Sequence, residues 1–119
     1  MSQKKRENIV RIKKELKDIR NDKSYESIEI LEEHPDFHSA TFGFAGPMDS
    51  PYEGYWFRVS VEWPPEYPWK APKFTLLDHI WNPYVDYDKG KICADILETE
   101  SSPALTTQKY ILSIASLIG

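Results

Sequence analysis

The sequence predicts one α+β domain, built from an N-terminal helix, a four-stranded antiparallel meander, a long loop and a second helix. Three observations predict this class. Apolar residues recur at helical spacing in residues 9–19 and again in residues 110–118, and short runs between residues 27 and 77 alternate apolar and polar residues. A chain of 119 residues is long enough to bury a core, so we expect residues 1–119 to form a single domain.

The first helix is predicted to be amphipathic and basic, and to end near residues 21–22. Its core face is marked by apolar residues at helical spacing: Ile9, Ile12, Leu16 and Ile19. Residues 1–20 carry eight Lys or Arg and three acids, a charge of +5. Since the net charge of the chain is −4, the remaining residues carry −9. A solvated helix face explains this asymmetry, and so does a docking site for an acidic protein. The acidic remainder argues against nucleic-acid binding.

Four strands are predicted between Ser27 and Leu77. Their apolar positions alternate along each run: Ile28 and Ile30; Ala40, Phe42 and Phe44; Phe57, Val59 and Val61; and a last run from Phe74. Turn signals rich in Pro, Gly and Asp separate the runs at residues 33–36, 46–51 and 64–68. Sequential strands with such short connections indicate an antiparallel meander.

Residues 78–105 form a long irregular stretch, and a loop of this length in a compact domain is usually functional. The second helix follows, with Thr106 as its predicted N-cap. Its core face is predicted from five apolar residues: Tyr110, Ile111, Ile114, Leu117 and Ile118. Leu112 is predicted to lie roughly opposite this face, beside Lys109 and Ser116.

Several functional classes are excluded by what the sequence lacks. No apolar run approaches the length of a membrane span, and the polar residues 1–8 predict no signal peptide. The three histidines are far apart and no Cys-x-x-Cys pair occurs, so we predict no metal site; no nucleotide or other cofactor motif is present either. A single cysteine cannot form an internal disulfide, which suits the cytoplasm or the nucleus.

That cysteine, Cys93, lies inside the long loop in the stretch GKICADIL. A free cysteine is often a buried core residue; the other interpretation is that Cys93 is a nucleophile. Its neighbours include acidic Asp86, Asp88 and Asp95, which do not favour the strongly activated thiolate that a protease needs. Exchange of an acyl group between two thioesters needs less activation, so the surroundings favour an acyl carrier.

The residues at this point resemble a known family, the ubiquitin-conjugating enzymes. The resemblance runs from about Arg11 to Ile118 and comprises several motifs in the family's order: RIKKEL, GPMDSPYEG, PPEYPWKAPK, GKICADIL and SPALTTQKYILSIASL. It implies the α+β core of that family. It further implies that Cys93, in its motif with Asp95, accepts ubiquitin or a ubiquitin-like modifier from the activating enzyme as a thioester. The modifier then passes to a lysine or to a ligase cysteine.

The resemblance also implies where partners bind. Arg11 and Lys14 would meet the acidic groove of the activating enzyme, and Leu112 would face the donor ubiquitin. The ligase-binding loops would include four further residues: Trp69, Ser102, Pro103 and Ala104.

The sequence departs from the family's pattern at three places. Where the family usually has His-Pro-Asn before the cysteine, this chain has Asn82-Pro83-Tyr84 and one extra residue, so Asn82 and Tyr84 are the candidates for supporting the thioester oxyanion. Ser101 stands where Trp is usual, and the sequence stops at Gly119 without the family's last two helices. The alternative to an active enzyme is therefore a weak or inactive variant that acts as a ubiquitin- or ligase-binding module.

Overall fold

A computed structural model describes residues 3–22, 28–34, 38–78 and 106–118. Its elements, in chain order, are helix α1 (Gln3–Asn21), strands β1 (Glu29–Glu33), β2 (Ser39–Ala45), β3 (Trp56–Glu62) and β4 (Lys73–Leu76), and helix α2 (Thr107–Ile118). The strands form one sheet in the order β1-β2-β3-β4, with every neighbouring pair antiparallel. The predicted α+β class and the predicted meander are confirmed.

Helix α1 buries the face that the sequence predicts. Ile12, Leu16 and Ile19 are buried, and Ile9 is partly buried. The helix ends at Asn21, where the Asp22 backbone N–H donates to the Ile19 carbonyl at 3.2 Å.

The sheet presents one face to the helices. In β3, Phe57, Val59 and Val61 are fully buried, while the residues between them point away from the core. The Phe74 ring of β4 lies 5.6 Å from the Tyr110 ring of α2, measured between centroids. The core therefore lies between the sheet and the two helices, as the alternation along each strand predicts.

Helix α2 begins as predicted. Its N-cap is Thr106, whose Oγ1 accepts a hydrogen bond from the Lys109 backbone N–H at 3.3 Å. Tyr110, Ile111 and Ile114 of the predicted face are buried. Within the described residues, neither helix is long and apolar enough to cross a membrane.

Candidate functional site

The cysteine-bearing segment, residues 79–105, lies outside the described residues, but the described residues on either side of it, Asp78 and Thr107, are anchored. At the first end, the Arg58 backbone N–H donates to Asp78 Oδ2 at 2.8 Å, and the Leu77 N–H donates to the Arg58 carbonyl at 2.9 Å. The Arg58 guanidinium lies 3.6 Å from Asp78 Oδ1. Strand β3 thus fixes the point at which the chain leaves the sheet. Seven predicted site residues fall in this segment, and their placement stays a prediction: Asn82, Tyr84, Cys93, Asp95, Ser102, Pro103 and Ala104.

The other end of the segment is held by a buried carboxylate. Glu15 of α1 is only 7% exposed, and its Oε1 accepts the Thr107 backbone N–H at 2.6 Å. Thr107 is the first residue of α2, so the carboxylate lies at the positive end of that helix, where a negative charge is stabilised. The Tyr67 hydroxyl donates to the same carboxylate, 2.7 Å from Oε2 and 2.9 Å from Oε1. One side chain of α1 therefore holds both the loop after β3 and the start of α2.

The polar cluster extends to Trp63. The Trp63 indole Nε1 donates to Thr107 Oγ1 at 2.9 Å, and Thr107 Oγ1 lies 3.3 Å from the Tyr67 hydroxyl oxygen. Burial raises the pKa of Tyr67 well above its ordinary value, and the nearby charge of Glu15 raises it further. Tyr67 therefore stays protonated at neutral pH and remains a donor to Glu15. Within the described part of the chain, every buried side-chain N or O atom has a hydrogen-bond partner.

Arg11 is engaged in this cluster. Its Nε lies 3.0 Å from Glu15 Oε2, and its guanidinium carbon lies 5.5 Å from the centre of the Tyr67 ring. The side chain is 30% exposed, whereas Lys14 on the same helix is exposed. Of the two predicted docking residues, Lys14 presents its charge to solvent. Arg11 divides its charge between Glu15, the Tyr67 ring and solvent.

The loop after β3 presents Trp69 on a well-bonded turn. The Asn8 side-chain amide donates to the carbonyls of Pro64, at 2.9 Å, and of Tyr67, at 3.3 Å. The Trp69 backbone N–H donates to the Glu66 carbonyl at 2.8 Å. Trp69 itself is 71% exposed. A large apolar side chain held open on a fixed backbone suits partner binding, and the exposure excludes packing beneath the loop.

Comparison with known proteins agrees with this geometry. The family model described as "Ubiquitin-conjugating enzyme" matches residues 11–119. The chain belongs to the ubiquitin-conjugating enzyme family.

Individual relatives of this family resemble the chain over most of its length. Ubiquitin-conjugating enzyme E2 27 of Arabidopsis thaliana is 33% identical over 109 residues, which are 92% of this chain but only 57% of that protein. The E2 domain of a Toxoplasma gondii ubiquitin conjugating enzyme superposes with a TM-score of 0.81 at 36% identity, covering 92% of this chain and 73% of that one. Human Ubiquitin-conjugating enzyme E2 G1 superposes with a TM-score of 0.78 at 25% identity, covering 95% of this chain and 94% of that one.

One exposed apolar residue of this family member was not predicted from its sequence. Val10 on α1 is 68% exposed and lies one helical turn before Lys14, so the two side chains share a stripe of the helix surface. A signal was present, because Val10 falls outside the apolar spacing of Ile9, Ile12 and Leu16. Val10 therefore places an exposed apolar side chain beside Lys14, on the basic surface predicted for partners.

Leu112 on α2 is partly buried, whereas its neighbours Lys109, Ser113 and Ser116 are exposed. The prediction that Leu112 lies on the outward side of α2 agrees with the exposure of these neighbours. Leu112 itself is more buried than the helical pattern indicates. Its uncovered part lies on the polar face of α2.

The three histidines are separated in sequence, but two of them lie close together in the structure. His34 and His38 cannot share a helix face, because Pro35 lies between them. They meet instead at the β1–β2 connection, where their ring centroids are 4.8 Å apart and nearly parallel. Among the described residues, no group of three or more His, Cys, Asp or Glu side chains is placed to hold a metal ion.

Proposed function

We propose that the chain accepts ubiquitin or a ubiquitin-like modifier on Cys93 as a thioester and passes it to a lysine or to a ligase cysteine. The observation that carries the proposal is the family match over residues 11–119, which contains Cys93 in the motif GKICADIL. We further propose that the chain works in the cytoplasm or the nucleus, because its single cysteine cannot form an internal disulfide.

The chemistry consists of two acyl exchanges. In loading, the Cys93 thiolate attacks the thioester carbonyl on the activating enzyme, and the activating enzyme's thiolate leaves. In discharge, a lysine amine attacks the new thioester, the Cys93 thiolate leaves, and the amine loses its proton to solvent. Loading exchanges one thioester for another, so it needs no strongly activated nucleophile. The formation of the stable amide drives the second step.

Anchoring of the segment around Cys93 supports this proposal. Asp78 is fixed by Arg58 of β3, and Thr107 is fixed by Glu15 of α1, so the described residues on either side of 79–105 are tied to rigid elements. A transferase needs its reacting atoms held in a reproducible place relative to its partners. Both partner-facing candidates, Lys14 and Trp69, lie on elements joined to the same cluster.

The alternative function is a weakly active or inactive variant that binds ubiquitin or a ligase. The altered tripeptide Asn82-Pro83-Tyr84 favours it, since the residue expected to support the oxyanion differs from the family's Asn. The two functions are separated by incubating the protein with activating enzyme, ATP and ubiquitin. An enzyme gains one ubiquitin in an ATP-dependent form that excess thiol removes. An inactive binding module gains no covalent adduct, and a weakly active variant gains it slowly.

Trp69→Ala is expected to weaken ligase-stimulated discharge by about thirtyfold or more, because truncation of an aromatic hot-spot residue costs about 2 kcal/mol or more at an interface. The measurement is the rate of ubiquitin loss from the loaded protein as ligase is titrated. Trp56→Ala is the matched control, since Trp56 is also exposed but lies on the sheet. Unchanged stimulation in folded Trp69→Ala would remove the docking role.

Leu112→Arg is expected to slow discharge from Cys93 more than it slows loading. The arginine would cover the partly buried leucine site on α2 with a charge, and the donor ubiquitin is proposed to rest there during discharge. Separate single-turnover measurements of the two steps check this prediction. Ser116→Arg places the same charge at an exposed position of the helix and serves as the control. Equal slowing of both steps, or a core-like loss of melting temperature, would count against the prediction.

A further inference from the structure

Glu15 joins three elements that are distant in sequence. Its carboxylate accepts hydrogen bonds from Arg11 on its own helix, from Tyr67 in the loop after β3 and from Thr107 at the start of α2. Tyr67 is 52 residues away from Glu15, and Thr107 is 92 residues away. A buried carboxylate with three donors is fully satisfied and cannot move without leaving donors unpaired.

The hydrogen bonds of the cluster can be assigned donors and acceptors in one way only. The Trp63 indole has no acceptor atom, so it donates to Thr107 Oγ1. The carboxylate has no proton to give, so Tyr67 donates to it. The Tyr67 proton being used in this way, the contact of 3.3 Å between the two hydroxyls is made by Thr107 donating to Tyr67. The chain of donors therefore runs from Trp63 through Thr107 and Tyr67 to Glu15, and it ends at the carboxylate.

A carboxylate at this position is not needed for stability alone. Buried charge networks are often no more stabilising than apolar residues of the same volume. The carboxylate differs from an apolar residue in fixing where its donors lie. The Thr107 amide fixes the start of α2, and the Tyr67 hydroxyl fixes the base of the turn that presents Trp69.

We infer that Glu15 is a positioning residue for discharge, holding the start of α2 and the Trp69 turn in a fixed relation to each other. This inference rests on the proposed function. Glu15 is itself buried, so it acts through the residues that donate to it, Tyr67 and Thr107. The two arms held by Glu15 are the start of α2 and the Trp69 turn. Loss of the carboxylate should loosen both arms, whereas loss of the Tyr67 hydroxyl should loosen the Trp69 turn first.

The test compares Glu15→Gln and Tyr67→Phe with Val59→Ala, a variant that removes core volume from β3 at a residue that takes no part in the hydrogen bonds of the cluster. Amide hydrogen exchange on the unloaded protein reports the two arms directly. In Glu15→Gln, the backbone amides of Thr107, Tyr67, Trp69 and Lys70 are expected to exchange about tenfold faster or more, because a charged acceptor is lost. In Tyr67→Phe, the acceleration should be confined to residues 67–70. Temperatures are set so that each variant is equally far below its melting point.

The activity measurement uses the loaded full chain and a ligase titration. Glu15→Gln is expected to lower the maximal discharge rate about tenfold and to raise the ligase concentration for half-maximal rate, because both arms are displaced. Tyr67→Phe should mainly raise the half-maximal concentration. Val59→Ala should leave both values close to those of the parent protein.

The outcomes separate the inference from the proposed function. If the parent protein does not load, the proposed function fails, and the exchange data still show whether Glu15 holds both arms. If the parent protein loads and discharges but Glu15→Gln behaves like Val59→Ala, Glu15 is structural only and the inference is overturned. Faster exchange with unchanged discharge would also overturn it.

Discussion

Cys93→Ser is expected to abolish the thiol-sensitive ubiquitin adduct completely. A serine hydroxyl is a much weaker nucleophile than a thiolate, so loading should slow, and the product should be an oxygen ester. Such an ester resists excess thiol and is cleaved by hydroxide. The measurement is a gel or intact-mass assay of the adduct before and after thiol treatment.

The sequence makes this result unambiguous, because Cys93 is the only cysteine of the chain. A thiol-sensitive adduct on Cys93→Ser could not be a thioester of this protein and would contradict the assignment. Cys93→Ala is the matched control, since it keeps the approximate volume but offers no nucleophile. It should gain no ubiquitin in either form.

Discharge to free lysine is expected to be slower than in family members that carry His-Pro-Asn, by about 10²–10³ if one preorganised oxyanion donor is missing. Attack on the thioester places negative charge on the carbonyl oxygen. Tyr84 stands where the Asn amide is usual, and Asn82 stands where the His is usual. Loading should proceed normally, since it is an exchange between two thioesters.

Two substitutions identify the side chain that supports the oxyanion in this chain. Asn82→Ala should slow discharge further if the Asn82 amide has taken the role, and Tyr84→Phe should do so if the Tyr84 hydroxyl donates. Tyr84→Asn, which brings an amide back to the expected position, should accelerate discharge. Fast discharge in the parent protein, unchanged by Asn82→Ala and Tyr84→Phe, would mean that another donor supports the oxyanion.

The fold was predictable because local periodicity and core burial agree in this chain. The apolar spacing of α1 and the alternation of Phe57, Val59 and Val61 each mark a face that the structure buries. Short turns between the strands left few topologies to consider. Thr106 could be predicted as an N-cap because capping depends on a side chain and the backbone three residues later.

The buried polar cluster could not be predicted in the same way. Glu15 reads as one more charge on a charged helix, and its partners Tyr67 and Thr107 are distant in sequence. The outer face of the sheet holds a second example: the Trp56 indole lies over Gly43, where an added Cβ would come within 2.5 Å of the indole Nε1. Contacts of this kind depend on how the elements pack, so they cannot be predicted from the spacing of residues in the sequence.

The site was predicted from motifs rather than from spacing. Cys93 was first selected by its place in the long loop, whereas the roles of Asn82 and Tyr84 come from resemblance to the family; all three remain predictions outside the described residues. For the docking residues, exposure could be checked: Trp69 and Lys14 present their side chains to solvent, while Arg11 is partly held by Glu15. A helical wheel predicts which side of α1 faces outward, but it cannot distinguish a free arginine from a paired one.

The central claim is that this chain carries a modifier on Cys93 and transfers it to an amine. The measurement that tests it most directly is intact-mass spectrometry of a chase, in which the loaded protein is separated from activating enzyme and ATP and then mixed with free lysine. We predict that the protein returns to its unmodified mass while ubiquitin appears with one lysine attached through an amide. Failure to load, or release of ubiquitin only as the free acid at a rate independent of lysine, would contradict the account.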